Sequence, residues 1–106
     1  MIQLVVSDID GTLLQDGANA IPPAIFEQIA RLKERGIRFC PASGRQYTSL
    51  RKLFAPVADQ LYYLCETGAV VYGPGAPGPI LSRTEMDRDL SLELCREILA
   101  HPRCEV

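Results

Sequence analysis

The chain has 106 residues, 47% hydrophobic and 23% charged, the balance of a folded globular protein and not of a disordered one. A net charge of −2 at pH 7 supplies no basic field for DNA or RNA, so no nucleic-acid partner is expected. No apolar run approaches the roughly 20 residues that span a bilayer, and the opening Met1-Ile2-Gln3-Leu4 lacks the basic start of a signal peptide, so the expectation is a cytoplasmic protein with no membrane partner.

Gln3 to Ser7 is a short, continuously apolar, β-branched run, the pattern of a strand buried in a parallel sheet. It ends in Asp8-Ile9-Asp10-Gly11-Thr12, where Asp and Gly favour a turn. Pro22 and Pro23 suit the first turn of a helix. Ile25, Ile29 and Leu32 then recur at i, i+4 and i+7, and Gly36 sits where a C-terminal cap glycine belongs. Ile37-Arg38-Phe39-Cys40 predicts a second strand that closes at Pro41-Ala42-Ser43-Gly44-Arg45, with the proline at its end. Tyr47 to Phe54 predicts a second helix limited by Pro56, and Leu61 to Cys65 a third strand followed by Glu66-Thr67-Gly68-Ala69. A β-α-β-α-β order with short connections predicts a parallel sheet with right-handed crossovers.

Val70-Val71-Tyr72 and Ile80-Leu81 flank the stretch Gly73 to Pro79, which predicts a hairpin. Its tip reads as a surface loop and not as a mobile lid, because the prolines remove the N–H groups a phosphate cradle would use. A third amphipathic helix is expected from Asp89 to Ala100, with Leu90, Leu94 and Ile98 on one side and Asp87 and Asp89 as acids at its start. Arg103 to Val106 is expected to open another strand. His101, the one histidine, ends that third helix and reads as solvated or capping. Cys40, Cys65, Cys95 and Cys104 form no CxxC pair and no zinc spacing, so four reduced thiols are expected.

The chemistry gathers at the strand ends. Asp8 and Asp10, two residues apart, point to the same side, so their carboxylates can converge on one small volume. Two anions held that close repel unless a cation or proton lies between them. Mg2+ suits them, since it prefers oxygen ligands and is held by one or two carboxylates plus phosphate and water. A carboxylate can also attack phosphorus while its neighbour handles the leaving-group proton. Gly11 lets backbone amides approach a phosphate. An EF-hand is excluded, because Thr12 and Leu13 stand where such a loop needs other residues. The first strand–helix connection carries no G-x-G-x-x-G, which argues against NAD. On these residues alone a turn with solvated acids stays open. With strands one and two parallel and adjacent, Ser43, Gly44 and Arg45 lie beside the acidic pair, as a hydroxyl donor, an exposed amide and a charge-assisted contact with phosphate or acid.

Asp8-Ile9-Asp10-Gly11-Thr12-Leu13-Leu14 resembles the first signature of the haloacid dehalogenase superfamily, and Ala42-Ser43-Gly44-Arg45 resembles its second. Glu66-Thr67-Gly68-Ala69 is similar to the third strand end of the type IIB, Cof-like phosphatase group. The resemblance implies an α/β fold: a Rossmann-like three-layer parallel sheet forming a partial core over residues 1–82, with the start of an α+β cap at 83–106. It implies that Asp8 attacks phosphorus and ligates Mg2+. Asp10 would protonate the leaving alcohol and then activate water, its carbonyl also reaching the metal, and Ser43 would hold the phosphoryl group. Gly11, Gly44 and Arg45 complete the substrate-binding set. Thr67 stands where the family usually has asparagine, so no substrate contact is carried to it. The lysine and acidic cluster of two further family motifs are not recognisable past Ile80, which implies a chain ending inside the cap.

The expected activity is Mg2+-dependent hydrolysis of a small, sugar-phosphate-like metabolite through an aspartyl-phosphate. The alternatives are a phosphomutase-type phosphotransferase, or an inert module that binds metal or phosphate or self-associates. A homodimer or domain swap through the apolar Leu4-Val5-Val6 strand is expected as well.

Overall fold

The computed structural model describes residues 1–106. In chain order the elements are β1 (Leu4–Asp8), α1 (Pro23–Glu34), β2 (Arg38–Ala42), α2 (Tyr47–Leu53), β3 (Tyr63–Cys65), β4 (Val70–Tyr72), β5 (Ile80–Arg83) and α3 (Arg88–Ala100). Short 3-10 turns occupy Ala55–Gln60 and Glu66–Gly68. The five strands lie side by side in sequence order. β1, β2 and β3 are parallel, with Val5 opposite Phe39 and Ala42 opposite Leu64. β4 and β5 run antiparallel, with Tyr63 opposite Tyr72 and Val71 opposite Ser82. The expected α/β sheet is present, its parallel half built by two helical crossovers and its other half by a hairpin.

Alternation along the strands sends Val5, Phe39, Tyr63 and Cys65 to one face, where α1 and α2 deliver Ile29, Leu50 and Phe54. Leu50, Phe54 and Tyr63 are fully buried there, and each such side chain contributes about 2 kcal/mol through area removed from water. The Phe26 and Phe54 rings meet edge-on at 6.2 Å, an arrangement the ring quadrupoles favour. α1 begins at Pro23, whose missing N–H would have had no helical partner anyway. α3 starts on Asp87, whose Oδ2 accepts the Leu90 N–H at 2.9 Å, as the acids at that helix start suggest. No side chain of α3 is buried. No helix is long and apolar enough to cross a membrane.

Three details differ from, or sharpen, the sequence reading. β2 runs through Pro41 to Ala42 and does not stop before the proline. Pairing of β2 with β3 registers only at Ala42–Leu64, so the donor that proline lacks forgoes little of a ladder. Residues Arg103 to Val106 form no strand: Arg103 has φ 64, a left-handed kink that breaks an extended run, and no strand pairs with the segment. The Gly73–Pro79 connection is a fastened loop. Gly75 N–H donates to Asp59 O at 3.0 Å and Gly78 N–H to the Tyr47 hydroxyl at 3.1 Å. Arg51 Nη1 donates to Gly75 O at 2.9 Å while its Nη2 pairs with Asp59. The Tyr47 ring stacks on Tyr72 at 3.7 Å, so the hairpin is held to α2 by aromatic as well as polar contacts.

Candidate active site

β1 ends at Asp8, directly across from Ala42 in the β1–β2 register, so Ser43 is the next residue at the same end of the sheet. Beyond Asp8 the chain reverses on Ile9, which is fully buried and anchors the turn from below. Its carbonyl accepts the N–H groups of Thr12, Leu13 and Leu14 at 2.9–3.1 Å. Gly11 sits at φ +81, a left-handed position that a side chain would strain, and its N–H donates to Leu14 O at 2.8 Å. Gly11 therefore shapes the turn, and its own amide is committed within it.

Asp10 and Arg45 meet directly across the two strand ends. Arg45 Nη2 lies 2.9 Å from Asp10 Oδ1 and Nε 3.2 Å from Oδ2, a two-pronged pairing of guanidinium and carboxylate. Those hydrogen bonds hold the Asp10 carboxyl below the usual carboxylate range, and they push Arg45 up in turn. Asp8 is steadied differently: the Thr12 hydroxyl donates to its Oδ2 at 3.1 Å, leaving Oδ1 without a protein donor. Ser43 is buried, and its Oγ accepts the Arg45 N–H at 3.1 Å, so the hydroxyl proton remains for an outside acceptor. Gly44 N–H donates to no protein group. Arg45 also borders a shallow concavity of about 260 Å³ shared with Asn19, Ser49 and Lys52.

All six candidate residues thus stand at one end of the parallel strands, where open α/β sheets bind ligands. Two contributions were not read from the sequence. Thr12 is part of the first signature, but its hold on Asp8 follows from the tight Ile9 turn. The 66–68 turn supports the second strand end through backbone groups, for which Gly68 was the available signal.

A model of the haloacid dehalogenase-like hydrolase family matches residues 5–105. The chain belongs to that family. The 5-amino-6-(5-phospho-D-ribitylamino)uracil phosphatase YbjI of Escherichia coli (strain K12) is 30% identical over 105 residues, which are 99% of this chain and 38% of that protein. A solved structure from Eubacterium rectale matches with TM-score 0.81 and 42% identity, over 92% of this chain and 36% of that one. SMU.1108c from Streptococcus mutans UA159 gives TM-score 0.82 at 26% identity, over 96% and 37% of the two chains. The chain therefore spans a little over a third of the length of these relatives. Both the resemblance in the strand-end signatures and the expected fold class agree with the family.

Proposed function

We propose that this haloacid dehalogenase-like chain carries the nucleophile-bearing half of an Mg2+-dependent phosphatase site for a small phosphorylated metabolite. The observation that carries the reading is the Asp10–Arg45 pairing at 2.9 and 3.2 Å, which joins the two strand ends into one charged constellation. Supporting it, the E. coli relative is named as a phosphatase of a phospho-ribityl compound, a polyol phosphate. The donor set also suits the metal. Asp8 Oδ1 and the Asp10 carbonyl, both hard oxygen donors, would hold the ion, which prefers such ligands together with water and phosphate. When bound, the ion would neutralise phosphoryl charge beside Asp8.

The residues then divide the work. Asp8 attacks phosphorus, forming an O–P bond as the bond to the leaving oxygen breaks. Ser43 donates its free proton to a phosphoryl oxygen, Gly44 offers its amide, and Arg45 supplies positive charge. Asp10 gives the leaving oxygen a proton, then takes one from the water that attacks the aspartyl-phosphate. Inorganic phosphate leaves and Asp8 is restored. The Arg45 hydrogen bonds favour the ionised Asp10 carboxylate, and Arg45 turning towards incoming phosphate would free Asp10 to carry the proton. Residues 83–106 would begin the cap over this site. The four unpaired cysteines suit a reducing cytoplasm.

A second reading is a module that binds metal or phosphate without turnover. A single charge-stabilising contact is worth on the order of 10² to 10³ in rate, which is the scale on which turnover would separate the two readings. The test is p-nitrophenyl phosphate hydrolysis with and without Mg2+, by the native chain and by Asp8→Asn. Mg2+-dependent turnover that the variant loses is the expected result. Turnover equal in both would contradict the catalytic reading, and none in either would leave the binding module standing.

A further inference from the structure

Three consecutive residues after β3 have positive φ: Glu66 at 50, Thr67 at 57 and Gly68 at 95. Glycine adopts such angles freely, whereas a β-branched threonine there is an outlier, and strain of that kind persists only where the surroundings hold it. What it accomplishes is visible in the hydrogen bonds. Glu66 N–H donates to Arg45 O at 3.0 Å and Thr67 N–H to Ser43 O at 3.0 Å, while Ser43 N–H donates back to Leu64 O at 3.0 Å. The Ser43–Arg45 loop is thus gripped on both sides of Gly44. A Cβ on Gly44 would meet Thr67 Oγ1 at 3.4 Å, so the threonine hydroxyl sits close against the glycine whose amide is unpaired.

We propose that the Glu66–Gly68 turn is a positioning element of the site, its left-handed backbone clamping the Ser43–Arg45 loop, with Thr67 as the residue under strain. The inference rests on reading that loop as the phosphoryl cradle. The φ and ψ angles of a turn together orient its peptide planes, so a turn released from the left-handed region would swing these donors away from the Ser43 and Arg45 carbonyls. The Ser43 hydroxyl and the Gly44 amide would then lose their fixed relation. Threonine has few χ1 choices, which keeps its hydroxyl against Gly44 while the backbone holds.

Two variants test the clamp. Gly68→Ala asks alanine to sit at φ +95, and since its Cβ meets nothing nearer than Leu64 Cδ2 at 3.8 Å the penalty is conformational. Thr67→Asn keeps the turn with a residue that tolerates the left-handed region. The readouts are amide hydrogen exchange, backbone amide NMR shifts, and affinity for orthovanadate with Mg2+. In Gly68→Ala, exchange at Glu66 and Thr67 should rise at least about tenfold, the Ser43, Gly44 and Arg45 signals should move, and vanadate should bind about tenfold more weakly. Phe39 and Tyr63 amides should stay protected. Thr67→Asn should raise the thermal midpoint by about 4 °C. The clamp is overturned if exchange at 66–67 rises while the 43–45 signals and vanadate affinity stay put. Should Gly68→Ala unfold, the native chain decides: Glu66 and Thr67 amides exchanging as fast as unbonded ones overturn the proposal, and protected ones support it. Vanadate that leaves the native spectrum unmoved counts against the phosphatase reading alone, since the exchange and shift data still decide the clamp.

Discussion

At the residue scale the site turns on one ion pair. Arg45 is 35% exposed at its side chain and Asp10 59%, so solvent screens the pair, yet its two-pronged geometry still favours the ionised carboxylate. Asp10 titrates lower in the folded chain than in the unfolded one. Its pairing therefore adds stability at neutral pH, and that contribution is lost as pH falls through the lowered value. Replacing Arg45 by methionine should return Asp10 to the ordinary carboxylate range, read by carboxyl 13C NMR titration; an unmoved Asp10 would show that Arg45 is not the cause. Asp8, Asp10 and Ser43 were legible in the sequence because their residue types and their places after apolar runs carry the chemistry. That Arg45 could contact an acid was legible too, but its choice of Asp10 was not, since it depends on the β1–β2 register and on side-chain reach. The Glu66 and Thr67 amides were invisible for a simpler reason: a backbone donor carries no residue identity.

Among the elements, the helices and the parallel strands could be read because α1 and α2 show a 3.6-residue apolar repeat and the strands are short apolar runs. The ends of elements were harder. Pro41 lies inside β2 because its lost hydrogen bond faces a nearly unpaired stretch, a fact that only the neighbouring strand's register reveals. Leu50 of α2 lies in the same buried cluster as Tyr63 of β3. Leu50 is fully buried, and Leu50→Ala should cost about 3 kcal/mol in urea unfolding; a loss under about 1 kcal/mol would mean that this helix is not a core element. The thiols sort by element too. Burial raises Cys40 and pushes Cys65 up to about 11, so the two β-strand thiols should react slowly with a disulfide reagent at pH 8, well after Cys104 and Cys95. Because the folded chain favours the neutral Cys65 thiol, stability should decline as pH rises from about 9 towards 11.

For the whole molecule, one face of the parallel strands is covered by α1 and α2, while Leu4 and Val6 on β1 are 47% and 52% exposed at the edge of the sheet. An open strand edge of that composition invites pairing with another chain. We propose self-association through β1, with a dimer by light scattering at high concentration and a monomer for Val6→Lys as the expected results; a native chain that stays monomeric would contradict it. α3 also displays Leu90, Leu94 and Ile98 to solvent, and the molecule is 53 Å in its longest dimension. That bare helix was read correctly as amphipathic, but no periodicity could say which surface meets it. The charged end of β1 and β2 makes the central claim testable by itself. Beryllofluoride, which mimics a phosphoryl group on aspartate, can be followed by 19F NMR in the presence of the chain. Bound signals that need Mg2+ and vanish in Asp8→Asn are expected; bound signals that persist in Asp8→Asn, or none at saturating Mg2+, would contradict a phosphoryl site at this end of the sheet.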